Sequence, residues 1–411
     1  MALDVPQSLG FFFAILFYGW AIYHILLFLK GRTISRKRKD EFDPSALRNP
    51  YDLPTMSIII PAKNEEATIG GAIEHVISLA YPKEKKQTIL LEDGSTDNTP
   101  HICRKYARQH SNVLFLRSEV SKGKPAALNR AMPHIKGDVV SFLDSDNRMT
   151  HDILLRVAKY FHDNPNIDAV QLIPNTFDVD DNLITRLDAY ETWFWYNGVL
   201  RGKEALGLFV HFSGSGIFLR KEIMDKTGGW DEDCLAEDMD YAKRIADGGG
   251  TIGVLSADVW RQPPYSSTEF VKQRKRWWAG NLQVLGKGLR TRTKSKASLR
   301  KRVDMTIQVF SPVMMLAGSL FFFSILSFQI FTSRVVWLLL TFLLGILTSQ
   351  IVVFPLVLVK TISKRDPSYL LLIPGLFYYW FLHFIALLWA ATGILFRRKM
   401  EWEVTEKRKM E

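Results

Sequence analysis

Cysteine is nearly absent from this chain. Its 411 residues hold two, Cys103 and Cys234. That excludes a disulfide scaffold and suggests a reducing compartment. No Cys/His set has the spacing of a zinc site. There is no P-loop, no GxGxxG and no nucleophile elbow, so ATPase and dehydrogenase chemistry has little support. Acid is missing from two basic blocks. Residues 30–39 carry six Lys/Arg, and residues 281–303 carry eight, with no Asp or Glu in either. These charges exceed the net charge of +11, so the rest of the chain is slightly acidic. A nucleic-acid binder spreads its positive charge over a folded face. Here the basic blocks abut apolar runs, as juxtamembrane segments do on the cytoplasmic side. Nucleic acid is therefore not the expected partner.

What is present is apolar. Hydrophobic residues make up 47% and aromatic residues 12%, which excludes a disordered chain. The mean hydropathy is close to zero although 23% of residues are charged. A polar domain joined to membrane spans reconciles the two. Four uncharged runs are long enough to cross about 30 Å of hydrocarbon: residues 5–28, 305–331, 335–359 and 367–396, the last two separated by a charged loop. The first run is too long for a signal peptide and lacks a basic leader and a cleavage site, so it reads as an anchor. Between Arg32 and Asp304 no uncharged stretch approaches spanning length.

The expected organisation is an N-terminal anchor (1–30), a cytoplasmic domain (31–285), a basic interfacial segment (286–303), transmembrane helices (304–396) and a charged tail (397–411). Four simple crossings would leave the basic tail outside, against the positive-inside rule. A re-entrant run, or a break of the last run at Pro374-Gly375, would resolve this.

The polar domain alternates strand and helix signals. Strands are expected at 56–61, 87–91, 113–117 and 138–143, with helices at 65–79, from about Asn98, and at 125–134. Strands separated by single helices predict an α/β fold with a mostly parallel sheet. Ligands bind such sheets beyond the carboxyl ends of their strands. At those ends stand Pro61-Ala62-Lys63-Asn64-Glu65, Glu92-Asp93-Gly94-Ser95 and Asp144-Ser145-Asp146. Helix capping explains Asp97, which precedes a helical run. It explains Asp144 and Asp146 poorly, because neighbouring carboxylates repel unless a cation intervenes. A hard divalent cation, Mg²⁺ or Mn²⁺, binds carboxylate and phosphate oxygens together.

With Glu237-Asp238 and Gln273-Arg274-Lys275-Arg276-Trp277, these motifs resemble the family 2 inverting glycosyltransferases. The last element is similar to the QxxRW signature of membrane polysaccharide synthases of the cellulose, hyaluronan and poly-N-acetylglucosamine type. The resemblance covers residues 55–285. It implies a cytoplasmic nucleotide-diphospho-sugar-binding domain and about four transmembrane helices. It also implies transfer of a hexose, N-acetylglucosamine by preference, from a UDP-sugar donor to a growing β-linked polysaccharide exported across the cell membrane. Accessory export subunits would be compatible partners. The alternative is single-sugar transfer to a membrane lipid acceptor, as in ceramide glucosyltransferases.

The resemblance assigns Ala62, Asn64, Glu65, Asp93, Lys124, Asp144 and Ser145 to the nucleotide sugar, and Asp146 with Asp144 to Mg²⁺ or Mn²⁺. Lys122-Gly123-Lys124 with Asn129 resembles a nucleotide-proximal segment, although solvated surface charge is the plain alternative. Asp238 is the expected general base, because the attacking hydroxyl must lose its proton. The plain reading makes Glu237, Asp238 and Asp240 an acidic helix N-terminus. The family usually has threonine where this chain has Ala236. Gly214, Ser215, Gln273, Arg276 and Trp277 are expected at the acceptor or diphosphate. An interfacial anchor suits Trp278 better than Trp277, and His211, His383 and the Trp193–Tyr196 cluster read as structural.

Overall fold

The computed structural model describes residues 19–20, 22–33, 53–177, 179–290, 295–331 and 372–396. The run at 335–359, most of the run at 5–28, basic residues 34–39 and the tail from 397 lie outside these residues. So they test neither the four-span expectation nor the orientation of the tail.

Eight strands form one sheet in the order β3-β2-β1-β4-β7-β6-β8-β5. Strands β1 (Met56–Ala62), β2 (Lys86–Asp93), β3 (Val113–Ser118) and β4 (Val139–Phe142) fall where the β-branched and apolar runs predict them. β1 pairs in parallel with both β2 and β4, and β2 pairs in parallel with β3. The other half is mixed. β7 (Ile217–Arg220) runs antiparallel to β4 and to β6 (Ala169–Thr176), whereas β6 pairs in parallel with β8 (Ile252–Arg261). The two-residue β5 (Arg148–Met149) pairs antiparallel with β8.

Alternation along the strands divides the core. In β1, Ile58 and Ile60 pack on one face with Ile73, Val76 and Phe161, and Ile59 packs on the other with Ala127, Phe142 and Trp230. That is the period-two pattern of a sheet buried on both faces. Helices α2 (Ile69–Ser78), α3 (Thr99–Gln109) and α5 (Ile153–Asp163) cover the first face. Helices α4 (Lys124–Ala131), α8 (Lys221–Thr227) and α9 (Glu237–Asp247) cover the second.

The chain leaves β1 toward β2 and β3, then returns on the other side to β4. β1 and β4 stay paired only as far as Ile59 and Phe142. Pro61 lies beyond that limit, so its missing N–H leaves no gap in the β4 ladder. Past this point β1 continues on β2 alone, to Ala62 beside Glu92, and the Thr68 hydroxyl lies 3.0 Å from Ser145 Oγ.

A third cluster joins the domain to the apolar helices. Helix α1 (residues 22–33) packs on α6 (Leu183–Trp193), the π-helical turn Phe194–Leu200 and α7 (Arg201–Ala205). Phe28 stacks on Phe194 with ring centroids 4.8 Å apart, and Trp195 meets His24 edge-on at 5.0 Å. The Trp193–Tyr196 segment thus serves packing. A Cβ on Gly202 would lie 2.0 Å from the Leu27 carbonyl oxygen, so only glycine permits this approach.

Helix α10 (Ser267–Arg290) continues beyond residue 285, and α11 (Leu299–Phe331) begins within the expected basic segment. Helix α12 (Leu372–Leu395) runs unbroken through Pro374-Gly375. A proline in the first turn removes no intrahelical hydrogen bond, so a break there, one of the two ways to bring the tail inside, is not what this helix shows. Among the described residues one helix, Pro374–Leu395, is long and apolar enough to cross a membrane.

A buried ion pair fastens α11 to the domain. Lys203 Nζ lies 3.0 Å from Asp304 Oδ1, with side chains 1% and 2% exposed. Asp304 also accepts the Tyr23 hydroxyl and, at 2.8 Å, the Phe209 N–H. Asp304→Asn leaves the Lys203 charge buried without its counter-ion. It should cost roughly 3–5 kcal/mol, seen as a lowered melting temperature of the purified protein.

Candidate active site

The β1 and β2 ends are sewn together. Asn64 adopts a left-handed conformation (φ 54°), which asparagine tolerates better than most residues. That turn aims its Oδ1 at the Thr96 N–H, 2.9 Å away, while its own N–H donates to Ser95 Oγ at 3.0 Å. The Glu66 N–H donates to Asp97 Oδ2, and the Asn98 N–H returns a bond to Glu66 Oε2, both at 3.0 Å. Asp97 also accepts the Thr99 N–H at 3.0 Å, but it lies one residue before the N-cap of α3, which is Asn98 rather than the expected Asp97. Glu65 is buried, and its Oε2 accepts the Thr68 hydroxyl at 2.8 Å. The same hydroxyl lies 3.0 Å from Ser145 Oγ, which links the first motif to the third. Ala62 is buried at the end of β1.

Asp93 is 4% exposed and organises the loop before α4. It accepts the Ser121 hydroxyl at 2.8 Å and the Gly123 N–H at 2.8 Å, and the Lys122 N–H lies 3.2 Å from Oδ2. Asn129 sits apart from this center: its amide clips onto the Trp230 backbone, accepting at 2.7 Å and donating at 2.9 Å.

Lys124 gathers the remaining motifs. Its Nζ lies 2.9 Å from Asp144 Oδ1, 3.2 Å from the Gly214 carbonyl and 3.4 Å from Glu237 Oε1. Burial works against its charge, but the Asp144, Glu237 and Asp238 carboxylates prevail and hold it protonated. Ser215 Oγ accepts the Asp144 N–H at 3.1 Å. Thus β4, the 213–216 loop and the start of α9 meet at one ammonium. Lys124 is buried rather than a solvated surface charge.

Asp238 opens α9 beside this ammonium. Its Oδ1 accepts the Met239 N–H at 2.8 Å, and its Oδ2 faces Gly214, where a Cβ would stand 3.6 Å away. Burial and then the Glu237 charge push its carboxyl up to about 7, against the Met239 N–H, Lys124 and Arg276. Asp240 pairs with Arg244 at 2.9 Å, so the acidic turn divides: Asp240 serves the helix and Asp238 faces the loop. A Cβ on Gly280 of α10 would lie 2.5 Å from the Ala236 Cβ, so α10 approaches the start of α9 closely and Gly280 is what permits it. His211 is pushed down to about 3 by burial and Lys203, so it is neutral, in keeping with a structural role.

On α10, Gln273 Oε1 accepts from Arg274 at 2.7 Å. Trp277 is 38% exposed, with the Arg274 guanidinium 4.1 Å from its ring centroid. Arg276 acts on Asp238 through its charge. The sequence reading passed over Arg274, Asp188 and Glu191. The i,i+3 spacing of two acids in an aromatic stretch was a signal that could have found the last two.

Asp144 and Asp146 supply hard oxygen donors, with side chains of Asp144 34% exposed and Asp146 buried. Among the described residues no group of three or more His, Cys, Asp or Glu is assembled for a metal. That donor set fits a cation completed by substrate phosphates rather than a closed protein cage.

Residues 57–228 match the family model "Glycosyl transferase family 2". The chain is 29% identical over 238 residues to a beta-monoglucosyldiacylglycerol synthase of Nostoc, covering 56% of this chain and 50% of that protein. It is 25% identical over 281 residues to a poly-beta-1,6-N-acetyl-D-glucosamine synthase of Staphylococcus epidermidis, covering 68% and 66%. The match therefore spans about half the length of the cyanobacterial synthases. Among solved structures, a mannosyltransferase from Pyrobaculum calidifontis in complex with GDP-Man and Mn²⁺ superposes with a TM-score of 0.63. It is 19% identical and covers 96% of this chain and 100% of that one. The shared fold is that of GT-A-like glycosyltransferases.

A raised carboxyl binds its proton more tightly folded than unfolded. Asp238 therefore adds stability fully below its ordinary value of 3.8, and that contribution is lost as pH rises through about 7. Glu237→Gln should lower the ionisation midpoint of Asp238, read by NMR of carboxyl-labelled aspartate. A midpoint still at about 7 would mean that burial alone holds it there.

Proposed function

We propose that this chain, whose residues 57–228 match the glycosyl transferase family 2 model, is a member of that family and an inverting and processive membrane synthase. It would transfer N-acetylglucosamine from its UDP-sugar to a β-linked polymer, with the catalytic domain on the cytoplasmic side. The observation that carries the reading is the convergence of Asp144, Gly214 and Glu237 on Lys124, with Asp238 alongside.

The chemistry follows from those positions. The acceptor hydroxyl attacks the anomeric carbon as the bond to the diphosphate breaks, and UDP leaves with the electron pair. Asp238 takes the hydroxyl proton. Its carboxyl, held up to about 7, is a stronger base than an ordinary aspartate and is still ionised in part at neutral pH. Direct displacement without a covalent enzyme intermediate inverts the anomeric centre. Asp146 and Asp144 would hold Mg²⁺ or Mn²⁺, which when bound neutralises the departing diphosphate. Lys124 holds Asp144 in place and adds fixed positive charge beside it. Asn64, Glu65, Asp93 and Ser145 shape the nucleotide side; Gly214, Ser215, Gln273, Arg276 and Trp277 shape the acceptor and diphosphate side.

The likeness to beta-monoglucosyldiacylglycerol synthases favours a second reading, one sugar placed on a membrane lipid. Incubation of the purified protein with radiolabelled nucleotide sugars and lipid vesicles separates the two. A polymer supports the first, one lipid species on thin-layer chromatography supports the second, and no product from any donor rejects both.

The two carboxylates should divide the work. Asp238→Asn should keep UDP and metal binding and lose transfer by roughly 10²-fold or more, the scale of a lost general base. Asp146→Asn should weaken Mn²⁺-dependent UDP binding, because a charged oxygen ligand is gone. Calorimetry of UDP binding with and without Mn²⁺, beside UDP release rates, checks both. The reverse pattern would overturn the assignment of roles.

A further inference from the structure

Arg274 occupies one of the x positions of the QxxRW stretch, yet its side chain is held by several partners. It is 2% exposed. One guanidinium nitrogen reaches Asp188 Oδ1 and Glu191 Oε2, each at 2.7 Å, and another reaches Gln273 Oε1 at 2.7 Å. Neither carboxylate is free to turn. Asp188 is fully buried, and Arg261 of β8 holds its second oxygen at 2.7 Å. Glu191 also accepts the Tyr379 hydroxyl at 2.6 Å and lies 3.4 Å from His383 Nε2, both on α12. The flat guanidinium packs against two rings, Phe270 at 4.6 Å and Trp277 at 4.1 Å.

The ladder therefore runs from the sheet through α6 and α10 to the apolar helix α12, and it ends under one indole. Trp277 is the exposed member, with the other groups buried or half-buried beneath it. A guanidinium fixed by three acceptors cannot slide, so it sets the height and tilt of any ring stacked on it. We infer that Arg274 is a positioning residue that sets the Trp277 indole for the acceptor, so that the seating of α12 is transmitted to the sugar-stacking surface. The inference rests on the proposed role of Trp277 at the acceptor.

Arg274→Lys keeps the charge but has neither the fork nor the flat face. The full chain, labelled with 5-fluorotryptophan and held in lipid nanodiscs, gives a fluorine resonance for Trp277 that is identified by its loss in Trp277→Phe. Arg274→Lys should shift and broaden that line and leave the line of Trp230, in the core, unchanged. UDP release from UDP-N-acetylglucosamine should fall roughly 10- to 100-fold, the scale of a small misplacement, with UDP affinity unchanged. Tyr379→Phe removes one tether of Glu191 while leaving Arg274 in place. It should move the same line in the same direction by less, and it decides by the same readouts if Arg274→Lys does not fold. An unmoved Trp277 line, or UDP affinity falling with turnover, would overturn the inference and leave Arg274 a structural ion pair. Wild-type UDP release from Trp277→Phe would instead overturn the acceptor role of Trp277, and the inference with it.

Discussion

The site depends on one buried ammonium. Lys124 stands between Asp144 and Glu237, which arrive from segments more than ninety residues apart, and its third partner is the backbone of Gly214. Carboxylates of like charge drawn into a half-buried cleft would otherwise repel one another and take up protons. The lysine lets Asp144 stay near the end of β4 and partly offsets the rise in the Asp238 carboxyl. The same contacts tie the 213–216 loop to the segment that follows β4. Without this cation the motifs would be neighbours in the fold but not a site.

Asp93 acts at one remove from the same center. It spends its buried oxygens on the donors of residues 121–123, so its consequence is the shape of the loop that delivers Lys124. Capping and function are therefore not rivals at these strand ends: the bonds that cap loops and helices also aim the groups that remain.

Two further ionic networks fix the domain against the apolar helices. Lys203 with Asp304 joins α7 to α11, and Arg274 with Asp188 and Glu191 joins α6 and α10 to α12. Both lie almost wholly out of water, where a pair with all its hydrogen bonds made tolerates little displacement. The glycine contacts between α1 and the 194–205 segment add a steric stop.

Local sequence pattern settled the first four strands and the helices between them, and it pointed to a candidate site beyond the strand ends. Those features are local. Alternation in 56–62 and helical spacing in 69–78 report burial within one turn or one pleat, and the parallel direction of β1 to β4 follows from single-helix crossovers. Only the tertiary structure decided that β7 runs antiparallel between β4 and β6, because direction depends on how residues 177–216 return to the sheet. Only it showed that Asp93 serves a loop, that Asn129 clips the Trp230 backbone, and that Arg274 is tied to α6 and α12. Each of these turns on a partner between about thirty and more than one hundred residues away. Spacing along a chain cannot report such a partner, because the electrostatic and steric terms that select it exist only once the chain has folded.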